Sequence, residues 1–339
     1  MHTRTKRRGT LLTALALACG LALSGCGASN STDDSAAGGD DSSGGKDWGD
    51  CTPAADAKDM GSEKPGDGEK TDLTVAAFNG WDETIATAYL AKHVLGEYGY
   101  NVTVKKFDLA PGYVATSNAD VDWMSSTMLP VTHKPYIEKY GDKLEAQGCW
   151  YDQAKNTIAV DKDSPAKTIE DLKSMGDQYG NKLYGIEAGS GLMDATKDKV
   201  IPDYGLDNMK LIASSTPAML TQLQKSTSAG EHVAVTLWHP HWAYDKFPVR
   251  DLEDPKKALG ENEKLYTMSR TGFTDEHPLP AQILKNLALT PKNLEGLERV
   301  MAAPEEFDGK NPEKAVAKWA KDNPDFMPDW KSGKLTAKE

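Results

Sequence analysis

The 339-residue sequence predicts an α/β fold arranged in two lobes. Strand-like runs of β-branched and apolar residues alternate with helix-like segments along residues 72–330, a pattern typical of sheets covered by helices. This part of the chain is long enough to bury two hydrophobic cores, so we expect two lobes. No internal sequence repeat accompanies the alternation.

The individual elements follow from hydrophobic periodicity and capping residues. A helix is predicted over 82–98, where apolar residues recur at helical spacing, and another over 164–175, which has an acidic start. Ser215 and Thr216 are capping residues for a helix that starts near Pro217. The last third of the chain is predicted to be mainly helical, and strands are predicted at 73–78, 101–107, 157–160, 183–186, 210–212, 233–237 and 265–268.

The first 26 residues have the parts of an export signal in order. Four basic residues lie within positions 4–8, and an apolar stretch over 11–23 follows that is too short to span a membrane. The stretch ends in Leu-Ser-Gly-Cys, which resembles the lipobox of bacterial lipoproteins, where the cysteine is lipidated. We therefore expect residues 1–26 to be a lipoprotein signal peptide and Cys26 to be the lipid attachment site. A signal peptide cut elsewhere is the alternative.

Residues 27–70 are rich in Gly, Ser, Asp, Ala and Lys and contain almost no large apolar residues. Such a stretch cannot bury enough surface to offset its ordering entropy, so we expect a flexible linker. No later segment is long and apolar enough to cross a bilayer. The sequence therefore predicts an exported protein held by lipid at the outer face of the cell membrane.

The charge balance of the chain excludes some partners. Without the four basic residues of the signal, 35 Lys and Arg face 51 Asp and Glu, a net charge of −16. A chain this acidic is a poor match for nucleic acid, and it is not expected to bind an anionic membrane by charge.

Four cysteines are present, of which Cys19 leaves with the signal and Cys26 takes the lipid. In an oxidising location, a disulfide between Cys51 and Cys149 is then the simple pairing. Two cysteines so far apart in sequence do not have the spacing of a zinc site.

The segment 233–244, VAVTLWHPHWAY, combines a buried strand with a cluster of aromatic residues. The residue before a proline favours an extended backbone, so the strand should end at His239, before Pro240. Ligands of α/β folds lie at the carboxyl ends of strands, and an indole face there can hold a cation. Trp238 is therefore a candidate ligand residue, although Trp238 and Trp242 could also be core aromatics with the histidines in a surface turn.

Two further strand ends carry candidate binding groups. Gly189-Ser190-Gly191 lies at a strand-to-helix junction, where free backbone N–H groups can hold an anion such as a carboxylate. The spacing does not fit a phosphate-binding or dinucleotide-binding glycine motif. Trp81 follows another strand end, beside Asp82 as a capping residue, and His133 could donate a hydrogen bond to an anion. Taken alone, a glycine turn or a single histidine is also compatible with a purely structural role.

Two other functional classes were weighed against solute binding. His239 and His241, with His133, could make an exported metal-binding lipoprotein, but the spacing supplies only two ligands. No catalytic motif is present, so we expect no enzyme activity and no cofactor. Two indoles, a glycine-rich anion site and a histidine together favour a small zwitterion with a quaternary ammonium and a carboxylate.

These motifs carry a resemblance to a known family. The chain from about 73 to 330 resembles the glycine betaine-binding proteins of ATP-binding-cassette importers. The matching pieces are Gly-Trp-Asp-Glu (80–83), Met-Leu-Pro-Val-Thr-His (128–133), Tyr-Gly-Ile-Glu-Ala-Gly-Ser-Gly-Leu (184–192), Trp-His-Pro-His-Trp (238–242) and Leu-Glu-Asp-Pro (252–255).

The resemblance implies a two-lobed, periplasmic-binding-protein-like fold of type II with the ligand in the cleft between the lobes. It also implies capture of a quaternary-ammonium osmolyte for a membrane permease, by a protein that we expect to be a monomer. In the family, three tryptophans cage the ammonium, whereas two backbone N–H groups and a histidine hold the carboxylate. The matching positions here are Trp81, Trp238, Met128, Gly191, Leu192 and His133.

Met128 stands where the family has its third cage tryptophan. A thioether is polarizable but lacks the negative face of an indole. This departure allows a weaker site, a cage completed by Trp123 or Trp242, or a different solute such as a carnitine, choline or sulfonium analogue. We expect lobe one over 71–158 and 243–335, and lobe two over 159–242.

Overall fold

The computed structural model describes residues 48–303 and 305–338. The predicted signal peptide, Cys26 and the predicted linker up to residue 47 lie outside the described residues. Within the described ranges, no helix has both the length and the apolar character that a membrane crossing requires.

Strands and helices alternate along the described chain, as the sequence predicts. The strands are β1 (Asp72–Phe78), β2 (Asn101–Phe107), β3 (Trp123–Leu129), β4 (Leu144–Asp161), β5 (Lys182–Tyr184), β6 (Lys210–Ile212), β7 (Ala234–His239), β8 (Val249–Asp251) and β9 (Glu263–Arg270). They form two sheets that share β4. The order is β2-β1-β3-β9-β4 in the first sheet and β4-β7-β5-β6 in the second, with β8 also paired to β4.

Both sheets are mixed, with parallel strands at one edge and antiparallel strands at the shared strand. In the first sheet β1 is parallel to β2 and β3, whereas β9 is antiparallel to β3 and β4. In the second sheet β5 is parallel to β6 and β7, and β4 is antiparallel to β7 and β8. The strand-to-helix connections of the parallel part place loops at the carboxyl ends of β1, β3, β5 and β7.

Helices cover the sheets. They are α1 (Asp82–Glu97), α2 (Leu109–Ser117), α3 (Lys134–Tyr140), α4 (Leu172–Met175), α5 (Gly191–Ala195), α6 (Ile201–Tyr204), α7 (Thr216–Ala229), α8 (Ala243–Lys246), α9 (Phe273–Glu276), α10 (Pro278–Lys285), α11 (Pro291–Ala302), α12 (Pro312–Asp322) and α13 (Phe326–Lys331). Helix α1 shows why the periodicity was informative. Ala86, Leu90 and Val94 recur every fourth residue and are fully buried, so one face of the helix covers the first sheet.

The helix predicted over 164–175 is shorter in the structure. Thr168 and Asp171 form a capping box, and a 3₁₀ turn over Ile169–Asp171 leads into α4. The residues before Thr168 are held outside the helix because the Arg250 Nη2 donates to the carbonyl oxygens of Ser164 at 2.8 Å and Ala166 at 2.5 Å. Arg250 is about 85 residues further along the chain than the segment that it holds. The local periodicity of hydrophobic residues, from which the helix was predicted, contains no information about such a distant contact.

The predicted lobe boundaries lie near the places where the chain changes from one sheet to the other, and the first of these changes occurs within β4. Its pairing changes from β9 to β7 between Ala154 and Lys155, before the predicted boundary at 158/159. Strand β8 pairs with β4 in the second sheet, so the chain returns to the first sheet only between Asp251 and Glu263. A continuous strand has no break in composition where it changes partners, so the sequence alone does not show the residue at which the pairing changes.

The second part of the predicted flexible linker, residues 48–70, lies against the folded body instead of forming a free tether. The Trp48 ring packs edge-on against the Tyr266 ring at 5.3 Å, and the Tyr266 hydroxyl donates to the Trp48 carbonyl at 2.7 Å. Further along, the Lys58 N–H donates to the Asn286 amide oxygen at 2.9 Å. Composition missed this arrangement, because a few specific anchors hold a segment that is otherwise polar.

A disulfide adds a covalent anchor to the same segment. Cys51 and Cys149 are joined, with their Cα atoms 6.2 Å apart. Cys149 lies in β4 and is almost fully buried, so the bond fastens the start of the described chain to the strand that both sheets share.

We predict that replacing both Cys51 and Cys149 by alanine lowers the free energy of unfolding by about 2–4 kcal/mol, because a cross-link over a long loop restricts the unfolded chain. Urea unfolding followed by tryptophan fluorescence measures the change. Peptide mapping of the oxidised protein, after thiol labelling without reductant, provides the control and should find both cysteines unlabelled. A double variant as stable as the parent would contradict the prediction.

Candidate functional site

A cavity between the two sheets brings all six predicted ligand residues together. It contains about 450 Å³ of space free of protein atoms, a volume that includes solvent at its open mouth. The cavity is lined by Trp81, Glu83, Ser126, Met128, Thr132, His133, Ala154, Asn156, Ile186, Ser190, Gly191, Leu192, Trp238, His239 and Leu265.

The two indoles reach the cavity from the ends of strands in different sheets. Trp81 follows β1 after a turn at Gly80, whose φ of 79° is favourable for glycine, and it occupies the position just before α1. Trp238 lies one residue before the end of β7 and is paired with Asn156 of β4. The exposed fractions of Trp81 and Trp238 are only 9% and 7%, and both rings form walls of the cavity.

His133 provides a neutral hydrogen-bond donor beside Trp81. The two rings are stacked at 5.7 Å with 7° between their planes. The His133 Nδ1 accepts from the Met128 N–H at 2.9 Å, so in the neutral ring the proton sits on Nε2. Burial lowers the pKa of His133 to about 3, and the imidazole therefore stays uncharged at neutral pH.

A buried carboxylate fixes the loop that carries His133. Glu263 is 1% exposed, and its Oε2 accepts from the N–H groups of Val131 at 2.6 Å and Thr132 at 2.9 Å. The Thr132 hydroxyl donates to Glu263 Oε1 and accepts from the Asn156 amide at 2.9 Å. Since Glu263 begins β9 and Asn156 lies in β4, the loop is tied to the strands where the chain passes between the lobes.

Gly191 begins α5 in the second lobe and meets Thr132 of the first lobe. The Ser190 hydroxyl accepts from the Met193 N–H at 3.3 Å, while the N–H groups of Gly191 and Leu192 lie in the first turn, which has no intrahelical acceptors. A Cβ atom on Gly191 would lie 2.6 Å from the Thr132 carbonyl oxygen. Only glycine allows the two lobes to approach this closely.

Met128 lines the cavity, but neither suggested replacement for a third cage tryptophan does. Trp123 is fully buried and packs against Phe273 at 5.7 Å. Trp242 donates its indole N–H to Asp82 Oδ2 at 2.6 Å and does not belong to the lining residues. The suggestion that Trp123 or Trp242 completes a cage in this cavity is therefore wrong.

Residues 71–322 match the model of the substrate-binding domain of ABC-type glycine betaine transport systems. The chain belongs to this family. The match covers both sheets and every residue that lines the cavity.

Individual members of the glycine betaine-binding family agree with this assignment. The glycine betaine/carnitine transport binding protein GbuC of Listeria monocytogenes is 40% identical over 163 residues, 48% of this chain and 52% of that protein. The match thus spans about half the length of the Listeria protein.

Two solved structures show the same fold. Lactococcal OpuAC, closed and complexed with glycine betaine, has a TM-score of 0.70 at 29% identity, covering 77% of this chain and 99% of that one. An ABC-transporter choline-binding protein in complex with choline has a TM-score of 0.69 at 25% identity, covering 79% and 94%. These similarities confirm the predicted α/β, two-lobed binding-protein fold.

Family membership supports the solute-binding interpretation over the metal-binding alternative, and the histidine contacts agree with it. His239 Nε2 lies 3.0 Å from Asp251 Oδ2, and its ring stacks on Tyr244 at 3.9 Å. His241 Nδ1 accepts from the Ala243 N–H at 3.0 Å. Nowhere in the described part of the chain do three His, Cys, Asp or Glu side chains cluster as a metal ion would require.

Sequence analysis missed the acidic side of this site. Asp82, which is predicted to cap the helix, makes no side-chain cap bond and instead accepts from the Trp242 indole N–H. Its neighbour Glu83 is 5% exposed and lines the cavity. Burial raises the pKa of Asp82 to about 6 and that of Glu83 to about 8. Acidic residues are common in the first turn of a helix, so Asp82 and Glu83 do not by themselves indicate a binding site. Their position directly after Trp81 was the only feature of the sequence that could have identified them as part of the site.

We predict that Glu263→Ala lowers the free energy of unfolding by roughly 2–4 kcal/mol, because three donors of the Val131–Thr132 loop lose their acceptor. Chemical denaturation measures the loss. Glu261→Ala is the matched control, since this exposed residue pairs only with Lys257 and its removal should leave unfolding unchanged. Equal effects of the two substitutions would contradict the role assigned to Glu263.

Proposed function

We propose that this chain captures a quaternary-ammonium osmolyte, glycine betaine or a close relative, and delivers it to the permease of an ATP-binding-cassette importer. The observation that carries the proposal is the composition of one cavity. Two indoles from different lobes line it together with an uncharged histidine and the start of a helix. The names of the Listeria and lactococcal relatives support the same class of solute.

The two ends of a betaine have different requirements, and the cavity contains groups for both. A trimethylammonium group has no N–H donor and is attracted by the negative face of an aromatic ring, worth roughly 0.5–2 kcal/mol for each ring. Trp81 and Trp238 would supply these faces. The carboxylate needs donors, which the N–H groups of Gly191 and Leu192 and the Nε2–H of His133 would provide.

Met128 would form the third wall around the ammonium. It is 7% exposed and lines the cavity from β3. Because a thioether adapts its shape more readily than an indole, this wall would tolerate a bulkier quaternary ammonium such as carnitine or choline.

The remaining part of the proposal concerns location and class. The export signal over 1–26 and the lipid on Cys26 would hold the protein at the outer face of the cell membrane, beside its permease. We propose that it acts as a monomer, with no catalytic activity and no cofactor.

Binding of glycine betaine compared with 3,3-dimethylbutyrate tests the proposal. The second compound has the same shape, but a carbon replaces the charged nitrogen, so it retains the carboxylate and loses the cation–π attraction. We expect the protein to bind betaine, and Trp238→Leu to reduce the preference for betaine over its neutral-headed analogue by about two- to thirtyfold. Calorimetric titration of both proteins with both ligands measures this ratio. No binding of betaine by the unsubstituted protein would refute the proposal.

We also predict that Gly191→Ala weakens betaine binding about five- to hundredfold without destabilising the ligand-free protein. The added methyl group would collide with Thr132 only when the lobes close, at a cost of about 1–3 kcal/mol. Gly189→Ala is the control, because a Cβ at that position meets no atom within 4 Å. Titration and thermal unfolding of both variants decide the matter, and matching affinities would show that closure does not depend on this contact.

A further inference from the structure

The cavity contains one ionisable group that the binding of a zwitterion does not use. Glu83 lies in the first turn of α1, lines the cavity and is 5% exposed. The Oε2 atom of its carboxyl group has no hydrogen-bond partner among the described residues. An unpartnered carboxyl oxygen in a closed binding cavity is an unused acceptor for a ligand group or for a proton.

The groups around Glu83 are mostly acidic. Asp82 precedes it on α1, Glu187 approaches from the loop after β5, and Glu298 approaches from α11. Burial is the main reason why the pKa of Glu83 is raised to about 8, and the charges of Asp82 and Glu187 act in the same direction. At neutral pH the carboxyl group of the ligand-free protein is therefore largely protonated.

The basic groups nearby are not available as counter-ions. His133 and His239 line the same cavity. Burial keeps His133 uncharged, and His239 is paired with Asp251. The buried imidazole of His241, which packs edge-on against Trp238 at 4.5 Å, is also kept neutral, with its pKa lowered to about 3.

The neighbouring acids are already engaged by other partners. Asp82 accepts from the Trp242 indole, Glu298 accepts from the Trp242 backbone at 3.0 Å, and Glu187 accepts from the Thr216 hydroxyl at 2.9 Å. None of these three acids lines the cavity. Glu83 is thus the carboxyl group placed to face a ligand.

We propose that Glu83 gives the site a second binding mode, for quaternary ammonium ions that carry no carboxylate, and that this mode releases the Glu83 proton. The inference rests on the proposed function of the cavity. A betaine brings its own negative charge, so it can bind while Glu83 remains protonated. A net cation such as choline brings none, and a buried charge needs a partner of opposite sign. The ionised Glu83 supplies it, and its free oxygen can accept from a hydroxyl group of the ligand.

The sign of the pH dependence follows from the proton balance. Choline binding converts the Glu83 carboxylic acid into a carboxylate and releases one proton to solvent. Higher pH therefore favours binding, by up to about tenfold in affinity per pH unit below about pH 8, and the dependence flattens above that value. Betaine binding releases no proton from Glu83, so its affinity should be nearly independent of pH in the same range.

Titration of the full chain with choline and with glycine betaine between about pH 6 and pH 8 tests this proposal. Calorimetry in two buffers with different ionisation enthalpies counts the protons released. For choline we expect close to one proton at pH 6 and about half a proton at pH 8, and for betaine almost none at either pH. Glu83→Gln, which mimics the protonated acid, should keep betaine affinity within about threefold, weaken choline at least about tenfold at pH 8 and abolish its pH dependence. Glu298→Gln is the matched control and should retain that dependence.

The outcomes separate this inference from the proposed function. If the protein binds betaine but binds choline without a pH dependence, or does not bind it at all, the role of Glu83 is refuted and the betaine site stands. If the pH dependence survives in Glu83→Gln but disappears in Glu298→Gln, the wrong carboxyl group has been assigned. If the unsubstituted protein binds neither ligand, the proposed function itself fails. Retained betaine binding by Glu83→Gln shows that the variant is folded.

Discussion

The structure depends on one strand that belongs to both sheets. Within β4, the part up to Ala154 pairs with β9, and the part from Lys155 onward pairs with β7. The cavity lies where these partners change, so Ala154 and Asn156 line it on either side of the crossing. Because Trp238 is paired with Asn156, the position of its indole is fixed by the backbone hydrogen bonds of the shared strand. The disulfide between Cys51 and Cys149 links the same strand covalently to the segment that precedes β1.

Local patterns were sufficient to single out Trp81, Trp238 and the glycine-rich turn, because each lies at or after the end of a strand that its own sequence specifies, whereas Met128 and Leu192 were identified through the family resemblance. The β-branched run before Trp238 and the apolar run before Trp81 define strands by alternation and composition, whatever the rest of the chain does. The glycine-rich turn before α5 is equally local. The supporting contacts could not be predicted in this way. Glu263 binds a loop more than 130 residues earlier in the chain, and no periodicity relates an isolated acid to the donors that it will meet.

The same distinction explains where the sequence analysis was wrong. Residues 48–70 have the composition of a linker, yet Trp48 and Lys58 reach specific partners more than 200 residues away. The change of partners within β4 also could not be predicted, because a strand that pairs in both sheets has the same composition as any other buried strand. In both cases the deciding contact joins distant parts of the chain, and its energy comes from a few well-placed groups and not from average composition.

Because the ionisable groups of the cavity are buried, the net charge of a ligand determines whether a group of the protein must change its protonation state when the ligand binds. Burial lowers the pKa of His133 and raises that of Glu83 for the same reason, because a buried charge is costly. A neutral cavity accepts a zwitterion without any change in protonation, since the ligand carries both charges. A ligand with one charge forces the cavity to supply the other, and an acid can do so by losing a proton. On the role proposed for Glu83, the cavity would therefore discriminate between solutes by net charge as well as by shape.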